Sequence, residues 1–367
     1  MRRWRHWLRI AAILIMLAAG GGFLFAWSGL YNVAASSGHF AITEWLLAFV
    51  MQNSAEARAP LVNDPPPLDD PALIRLGAAH FQIECVSCHG APGIKPSPVM
   101  QAALPAAPYL AAIDLKWSDK ELFWVVQHGI KYTGMPGWPT LQREDEVWAL
   151  VAFLKDLGRL DATAYRDLAF NTVAEADAKR RIADGNLPDM AQQCFRCHGS
   201  AEAAPISALV PSLNGQSPDY LVAALAAYAE GTRPSGIMQP MAATLGDDDR
   251  RKLAEFYAGR PKLAPASTAG SATDLGRTIA VDGIPDKGIP ACLSCHGHDA
   301  DASFPRLAGQ SAPYLANQLR LWRKGVNTAT PGAEIMAPIA QRLDEAAVDA
   351  VAAYFASLAD DSAGSPP

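Results

Sequence analysis

Six cysteines are the residues best able to do chemistry in this chain, and all six fall in one repeated pattern. Each pair is spaced Cys-x-x-Cys and is followed at once by His and Gly. The motifs are Cys85-Val-Ser-Cys88-His89, Cys194-Phe-Arg-Cys197-His198 and Cys292-Leu-Ser-Cys295-His296. Two thiols at this spacing can bond the vinyl groups on one edge of a porphyrin, and the next residue then points an imidazole nitrogen at the iron. The pattern therefore predicts three covalently attached haems of the c type.

Three other chemistries also use paired cysteines. A redox-active thiol pair needs a strand-to-helix context, which this sequence lacks. A zinc site needs four ligands from paired motifs and no constant His after each pair. Plain disulfides are the third interpretation. Three copies that use every cysteine, each followed by His-Gly and all behind an export segment, favour haem attachment over these alternatives.

A methionine beside a proline is the predicted sixth ligand of each iron. Met238 and Met336 each lie 40 residues after the histidine of their motif, and Met135 lies 46 residues after His89. Thioether sulfur is a soft ligand that favours ferrous iron and raises the haem potential. Methionines are more often core residues, but the matched position in each unit favours ligation.

Two rival ligands stay open at this point. Met241 lies three residues after Met238, but the repeat described below places it opposite Ile339, which cannot bind iron. His128 could serve the first haem, although its position before Gly129 also suits the end of a helix. Nothing marks the remaining histidines considered as ligands, and they are expected on loops or helix surfaces: His39, His80 and His298.

The second and third motifs belong to an internal repeat. Segment 211–221, Pro-Ser-Leu-Asn-Gly-Gln-Ser-Pro-Asp-Tyr-Leu, matches segment 305–315, Pro-Arg-Leu-Ala-Gly-Gln-Ser-Ala-Pro-Tyr-Leu, at an offset of 94 residues. The Ile-Met-x-Pro segments 237–240 and 335–338 match at an offset of 98, as the two motifs do. Such self-similarity indicates one structural unit per copy.

The body of the chain is expected to be all-α, because apolar residues recur at helical spacing and strand-like alternation is nearly absent. The predicted helices are Lys120–His128, Glu144–Leu157, Leu221–Glu230, Asp248–Tyr257, Leu315–Lys324 and Glu345–Leu358. Three tandem cytochrome-sized domains are predicted, at residues 72–160, 161–260 and 272–360, and are called the first, second and third units below. Units this small need a large apolar cofactor to complete their cores.

The N-terminus predicts the compartment. Residues 1–35 contain an Arg-rich start and an uncharged run from Ile10 to about Trp27, which approaches the roughly 20 residues that span a bilayer. The Arg cluster is expected to stay cytoplasmic, so the chain is predicted to be single-pass in a bacterial inner membrane with its haem domains in the periplasm. A cleaved signal peptide is the alternative.

Residues 36–71 are expected to link this anchor to the first unit. The apolar segment Phe40–Met51 is too short to span a bilayer, and we expect a helix that lies on the membrane or against the first unit. The Pro-rich segment 60–71 is predicted to be a stiff linker that lifts the domains off the membrane.

Bulk composition excludes other classes. Half of the residues are hydrophobic and 19% are charged, which allows packed cores and excludes a disordered chain. The net charge is −6 without a basic block beyond the N-terminus, so no nucleic-acid partner is expected.

On these residues each unit resembles a class I cytochrome c domain. Gly77 and Phe81 match the family's N-terminal helix, and Trp148 and Phe153 match the C-terminal helix that crosses it. The second and third units together resemble the dihaem cytochromes c, through segments 211–221 and 305–315. The first unit resembles a membrane-tethered monohaem domain, while the helix ahead of Cys194 is the most divergent part. The resemblance implies an all-α fold, six-coordinate haems and one-electron transfer.

The expected function is electron relay between membrane respiratory complexes, from a quinol-oxidising complex or a dehydrogenase towards a terminal oxidase. Three methionine-capped irons would leave no open position for chemistry, so neither enzymatic activity nor a small-molecule substrate is predicted. One alternative is the cytochrome subunit of a periplasmic dehydrogenase complex. Another is a haem enzyme such as a dihaem peroxidase, which would need one displaceable sixth ligand.

Overall fold

A computed structural model describes residues 2–185, 187, 191–200, 202–261, 274–297, 300–330 and 332–358. Over these ranges the chain is helical, with two isolated β-bridges and no strand. The all-α prediction is therefore confirmed. His298, the break between the second and third units, and the outer bounds of the third unit lie outside the described residues.

The helices from the N-terminus to the start of the second unit are α1 (Arg2–Trp27), α2 (Ala41–Arg58), α3 (Pro71–Glu84), α4 (Val86–His89), α5 (Pro98–Gln101), α6 (Asp119–His128), α7 (Glu144–Leu157) and α8 (Ala162–Ala169). Those that follow are α9 (Thr172–Ala183), α10 (Ala191–His198), α11 (Pro218–Ala229), α12 (Met238–Ala243), α13 (Asp247–Ala258), α14 (Asp274–Val281), α15 (Leu293–His296), α16 (Ala312–Arg323), α17 (Ala333–Arg342) and α18 (Glu345–Ser357). Short 3₁₀ turns cover Ala59–Leu61, Leu110–Ala112 and Pro285–Lys287. The predicted helices all form, with bounds that differ by three residues at most.

Each motif packs beside its own hydrophobic core. Cys85 lies against the first core, which is built around Phe81, Trp148 and Phe153. A second core surrounds Phe195 and Tyr257 and is contacted by Cys194, and a third surrounds Ile279 and Phe355 and is contacted by Cys292. Helix α8 also contributes to the first core, through Tyr165 and Ala169. The sequence thus places each haem-attachment motif next to apolar material.

One close helix crossing lies inside the first unit and another inside the third unit. A Cβ on Gly77 of α3 would lie 2.6 Å from the carbonyl carbon of Ala149 on α7. A Cβ on Gly276 of α14 would lie 2.7 Å from the carbonyl carbon of Ala350 on α18. Only glycine lets the backbones approach so closely. The predicted crossing of the Gly77 helix with the Trp148 helix is confirmed, and α9 of the second unit has no glycine.

The N-terminal segment leaves much apolar surface exposed. Arg3–Trp27 is the one helix in the described ranges that is long and apolar enough to cross a membrane, with a mean hydropathy of 2.2 and no part buried. Helix α2 packs its C-terminal half on the first unit, where Ala55 is fully buried and the Arg58 guanidinium lies 5.7 Å from the centre of the Trp124 ring. Contact with the first unit is one of the two arrangements expected for this helix.

The predicted linker at residues 60–71 packs along the first unit, and its role in lifting the domains off the membrane stays a prediction. Val62 and Leu68 pack against the first core. Asn63 donates to the Glu144 carboxylate at 3.1 Å, and Asp64 pairs with Lys120 at 2.8 Å. The apolar side chains spaced along the segment give it a surface to bury, which outweighs the stiffness of its prolines.

Candidate haem sites

The three motif histidines share one orientation. In each, Nδ1 lies within hydrogen-bond distance of a proline carbonyl oxygen, and because a carbonyl only accepts, Nδ1–H is the donor. The pairs are His89 with Pro108 at 2.9 Å, His198 with Pro211 at 2.8 Å and His296 with Pro305 at 2.9 Å. This tautomer leaves the Nε2 lone pair free, which is the state an iron ligand needs. Burial also lowers the pKa of His198 and His296, which keeps both imidazoles neutral.

The motif cysteines are unlike a redox-active thiol pair. None of the six forms a disulfide. Burial raises the pKa of Cys85 and Cys194 to about 12, and that of Cys197 and Cys292 to about 11. Catalytic Cys-x-x-Cys pairs have lowered thiol pKa values, because a neighbouring charge or helix N-terminus stabilises the thiolate. The apolar surroundings instead suit the carbon–sulfur bonds of a covalent porphyrin.

A single apolar cavity of about 550 Å³ contains both repeat sites. Its second-unit end is lined by Cys194, Cys197, His198, Met238 and Met241, and its third-unit end by Cys292, His296 and Met336. The predicted histidine and methionine ligands of the second and third units thus line one common cavity. Met238 and Met241 both reach it, so the geometry does not choose between them.

The polar side chains of this cavity fit a carboxylate-bearing porphyrin. Arg233 is buried, and its guanidinium donates to the Tyr220 hydroxyl at 3.2 Å and to Gln318 Oε1 at 3.1 Å, neither of which is a carboxylate. Trp322 Nε1 and the Tyr257 hydroxyl line the cavity and are buried without a hydrogen-bond partner among the described residues. Buried donors need acceptors, which haem propionates supply. Arg233 and Trp322 could hold the haems by their propionates, whereas Tyr257 lies on the side of Cys194 and Cys197.

The second and third units meet through reciprocal glutamines at equivalent positions of the repeat. The Gln216 amide donates to the Arg306 carbonyl at 3.1 Å and accepts from the Arg306 N–H at 2.8 Å. The Gln310 amide does the same with the Ser212 backbone, at 2.5 and 3.1 Å. The arrangement is that of a two-fold symmetric dimer built within one chain, and it brings the two sites together.

The first unit presents its predicted methionine from a short loop. Met135 is half-buried; its N–H donates to the Thr133 hydroxyl at 3.0 Å, and its carbonyl accepts from the Ile130 N–H at 3.1 Å. His128 is exposed and ends α6, with Gly129 at φ +64 after it. Ending a helix is the role that the sequence favours for this histidine.

Sequence reasoning misplaced one histidine and missed two groups of residues. His80 is not on a helix surface: it is 5% exposed between the first unit and the rest of the protein, and burial lowers its pKa to about 3. The three acceptor prolines had no assigned role, although Pro211 and Pro305 are repeat-matched and so could have been noticed. Glu146 belongs to a helix that the sequence predicts, yet it is 3% exposed and both of its carboxylate oxygens are hydrogen-bonded. Nothing local in the sequence marks its burial.

Family models match the chain in three places that each contain one motif. The model for cytochrome c oxidase, cbb3-type, subunit III matches residues 72–154 and 189–256. The cytochrome c model matches residues 275–359.

Curated relatives cover about half of the chain. A thiosulfate dehydrogenase electron acceptor of Stutzerimonas stutzeri is 34% identical over 194 residues, which are 52% of this chain and 89% of that protein. A thiosulfate dehydrogenase electron acceptor of Thiomonas intermedia is 35% identical over 46% of this chain and 80% of its own length. Cytochrome c4 of Thiocapsa roseopersicina is 32% identical over 45% of this chain and 86% of its own length.

Solved structures of cytochrome c4 are similar to part of the chain. The Acidithiobacillus ferrooxidans protein is 32% identical, covers 45% of this chain and 98% of its own, and superposes with a TM-score of 0.42. The Pseudomonas stutzeri protein is 26% identical, covers 51% and 98%, and has a TM-score of 0.41. Family models, relatives and motif geometry agree, and the chain belongs to the cytochrome c family of covalent-haem electron carriers.

Proposed function

We propose that the chain is a membrane-anchored one-electron carrier with three covalent haems, working on the periplasmic face of the bacterial inner membrane. The observation that carries the proposal is the repeated His-to-proline-carbonyl geometry at three motifs. Each imidazole is set as an iron ligand, and in the second and third units a methionine lines the cavity that its histidine faces. A histidine and a methionine on each iron would leave electron transfer as the available chemistry.

We propose a terminal oxidase as the electron acceptor. The support is the match of residues 72–154 and 189–256 to a model named for a subunit of cbb3-type cytochrome c oxidase. The test mixes the reduced full-length protein with a purified cbb3-type oxidase and oxygen, and follows haem oxidation by stopped flow. Rapid oxidation of all three haems supports the proposal, and oxidation no faster than without oxidase contradicts it.

The donor side favours a second role, as the cytochrome partner of a periplasmic dehydrogenase. Two relatives, 34% and 35% identical, are named thiosulfate dehydrogenase electron acceptors. Reduction of the oxidised protein by purified thiosulfate dehydrogenase and thiosulfate tests this role. A carrier that links such a dehydrogenase to an oxidase would pass both assays. Stoichiometric carbon monoxide binding at one haem would instead indicate an open coordination position, as a haem peroxidase requires.

Membrane attachment is proposed to use two helices. Helix α1 is the candidate span, and α2 carries exposed apolar side chains at the i, i+3, i+4, i+7, i+8 positions of one face: Ile42, Trp45, Leu46, Phe49 and Val50. Such a stripe suits a helix lying in the lipid headgroup region. Because the other end of α2 rests on the first unit, this unit would be the one nearest the membrane.

The proposed role of α2 predicts the effect of one charge. In a chain that lacks residues 1–30, Phe49→Glu should weaken co-sedimentation with anionic lipid vesicles by about tenfold or more, since a buried Phe contributes about 1.5–3 kcal/mol. Ala48→Glu, at an exposed position of α2 outside this face, is the matched control. Equal binding by both variants would contradict an interfacial α2.

A further inference from the structure

Glu146 is a buried carboxylate at the junction between the first and second units. Its Oε2 accepts hydrogen bonds from Trp138 Nε1 at 2.9 Å and from the Gly236 N–H at 2.7 Å. Its Oε1 accepts from the Ser235 hydroxyl at 2.6 Å and pairs with the Arg143 guanidinium at 3.0 Å. Both oxygens are therefore fully used, two partners each, with two of the four partners in the second unit.

The neighbouring residues of α7 extend this junction to both later units. Arg143 forms a two-pronged ion pair with Asp145 at 2.8 and 2.9 Å. The same guanidinium donates to the Pro234 carbonyl of the second unit at 3.0 Å. Asp145 accepts from Asn317 Nδ2 of the third unit at 2.9 Å. One helical turn of the first unit thus fixes its position against the other two.

The second-unit side of the junction is the segment that leads into Met238. Ile237 is 7% exposed and belongs to the core of the first unit. A Cβ on Gly236 would lie 2.6 Å from Trp138 Cζ2, so this glycine is required by the close approach. The Ser235 hydroxyl, while it donates to Glu146, accepts from the Met238 N–H at 3.0 Å. The path of the chain into Met238 is therefore set by the first unit.

The third unit supplies an internal comparison. At the offset of 98 residues, Ser235 and Gly236 correspond to Ala333 and Glu334. Ile335, which corresponds to Ile237, is 42% exposed. The second unit, which meets Glu146, therefore has a hydroxyl, a glycine and a buried isoleucine at these three positions. The third unit, which has no such contact, lacks all three features.

The first-unit side of the junction is the loop that carries Met135. Trp138 follows Met135 by three residues, and the backbone N–H of Trp138 donates to the Gln127 carbonyl at 3.0 Å. We infer that Glu146 is a positioning residue that locks the methionine-bearing loops of the first and second haems against each other. The inference rests on the proposed function, with Met135 and Met238 as iron ligands.

Two consequences follow for electron transfer. The ligation and potential of the second haem depend on the first unit, although the second and third units alone form the symmetric pair. If Met135 and Met238 hold the first and second irons, one electron would pass between a ferrous and a ferric iron with no bond made or broken. The contacts of Glu146 would then hold the two methionine-bearing segments at a constant distance from each other.

The test uses the full-length protein with three haems and compares Glu146→Gln with Glu144→Gln. The amide keeps the size of the side chain but replaces one acceptor oxygen with a donor that faces N–H or O–H groups. Glu146→Gln should weaken the methionine-to-iron charge-transfer band by up to two thirds and shift the midpoint potentials of the first and second haems, while the potential of the third stays unchanged. Glu144, two residues away on the same helix and hydrogen-bonded to Asn63 of the linker and not to the second or third unit, controls for the charge.

A milder variant guards against a folding defect. Ser235→Ala copies the third unit, so haem content and helical circular dichroism should be unchanged while the midpoint potential of the second haem shifts. An intact band and three unaltered potentials in Ser235→Ala, and in Glu146→Gln where it folds, would overturn the inference and leave the proposed function standing. Wild-type protein without three haems would overturn the proposed function instead.

Discussion

At the scale of residues, each candidate site depends on a proline carbonyl as well as on its motif. The acceptors Pro108, Pro211 and Pro305 fix the tautomer of the three histidines and orient each ring. A hydrogen-bonded imidazole is a better electron donor to a metal, so these carbonyls also influence the haem potentials. They act through backbone oxygen, which any residue could supply, and proline adds a fixed φ angle.

The open choice between Met238 and Met241 belongs to this scale. If Met238 is the ligand, Met238→Leu should remove about a third of the methionine-to-iron charge-transfer band and lower one midpoint potential, because a soft ligand that stabilises ferrous iron is lost. Met241→Leu should leave both observables unchanged. Near-infrared spectra of the oxidised protein and a redox titration measure them. The reverse pattern would identify Met241 as the ligand.

At the scale of elements, the glycine crossings decide how tightly the first and third cores close. In the first unit the crossing brings Phe81 within 5.3 Å of Phe153, ring centre to ring centre, and presents Cys85 at the end of α3. The same helix carries His80, whose ring stacks 6.1 Å from Trp138. Helix α3 therefore positions the first motif with one face and contacts the junction around Glu146 with another.

Gly77→Ala tests this crossing. The added methyl would overlap the Ala149 carbonyl, and overpacking of this kind costs about 1–3 kcal/mol. We expect a lower thermal midpoint of unfolding for the first unit, measured by circular dichroism and by the loss of the native absorption band of its haem. Gly158→Ala is the control, because its Cβ would meet only the Ile113 carbonyl at 3.8 Å. Equal midpoints would show that the helices can separate at little cost.

At the scale of the whole molecule, two different kinds of contact join the units. Matched glutamines and serines join the second and third units, with Ser311 donating to the Ala208 carbonyl at 2.6 Å and Ser217 bonding the Ala302 carbonyl. The first unit is joined asymmetrically, through Glu146 and its neighbours and through the Arg75 guanidinium, which donates to the Ile206 carbonyl at 2.9 Å. The second and third units thus form a symmetric pair, and the first unit is fixed to one side of that pair.

The symmetric contact predicts the result of removing both glutamine amides. Gln216→Ala with Gln310→Ala leaves buried backbone groups of Arg306 and Ser212 unpaired, at about 1–3 kcal/mol for each group. We expect a larger radius of gyration by small-angle X-ray scattering and slower electron exchange between the second and third haems. Gln142→Ala, on the exposed surface of the first unit, is the control. An unchanged radius would show that other contacts suffice.

Local features of the chain could be predicted from the sequence alone. Haem attachment needs two thiols and an imidazole within five residues, so the motif carries its chemistry wherever it folds. Helices such as Glu144–Leu157 follow from apolar spacing, and the repeat identifies matched positions in the second and third units. The crossing at Gly77 was also predictable, because only glycine allows such close backbones.

Contacts between distant residues were decided by the tertiary structure. Glu146 and Ser235 are 89 residues apart, and Gln310 and Ser212 are 98 apart, so neither pair leaves a local signal. The burial of His80 has the same cause, because a polar residue on a helix is expected to be exposed until the rest of the fold covers it. The sequence by itself determined that each unit carries a haem-attachment motif, whereas burial between units decided how the three candidate sites are joined, because desolvation depends on the whole fold.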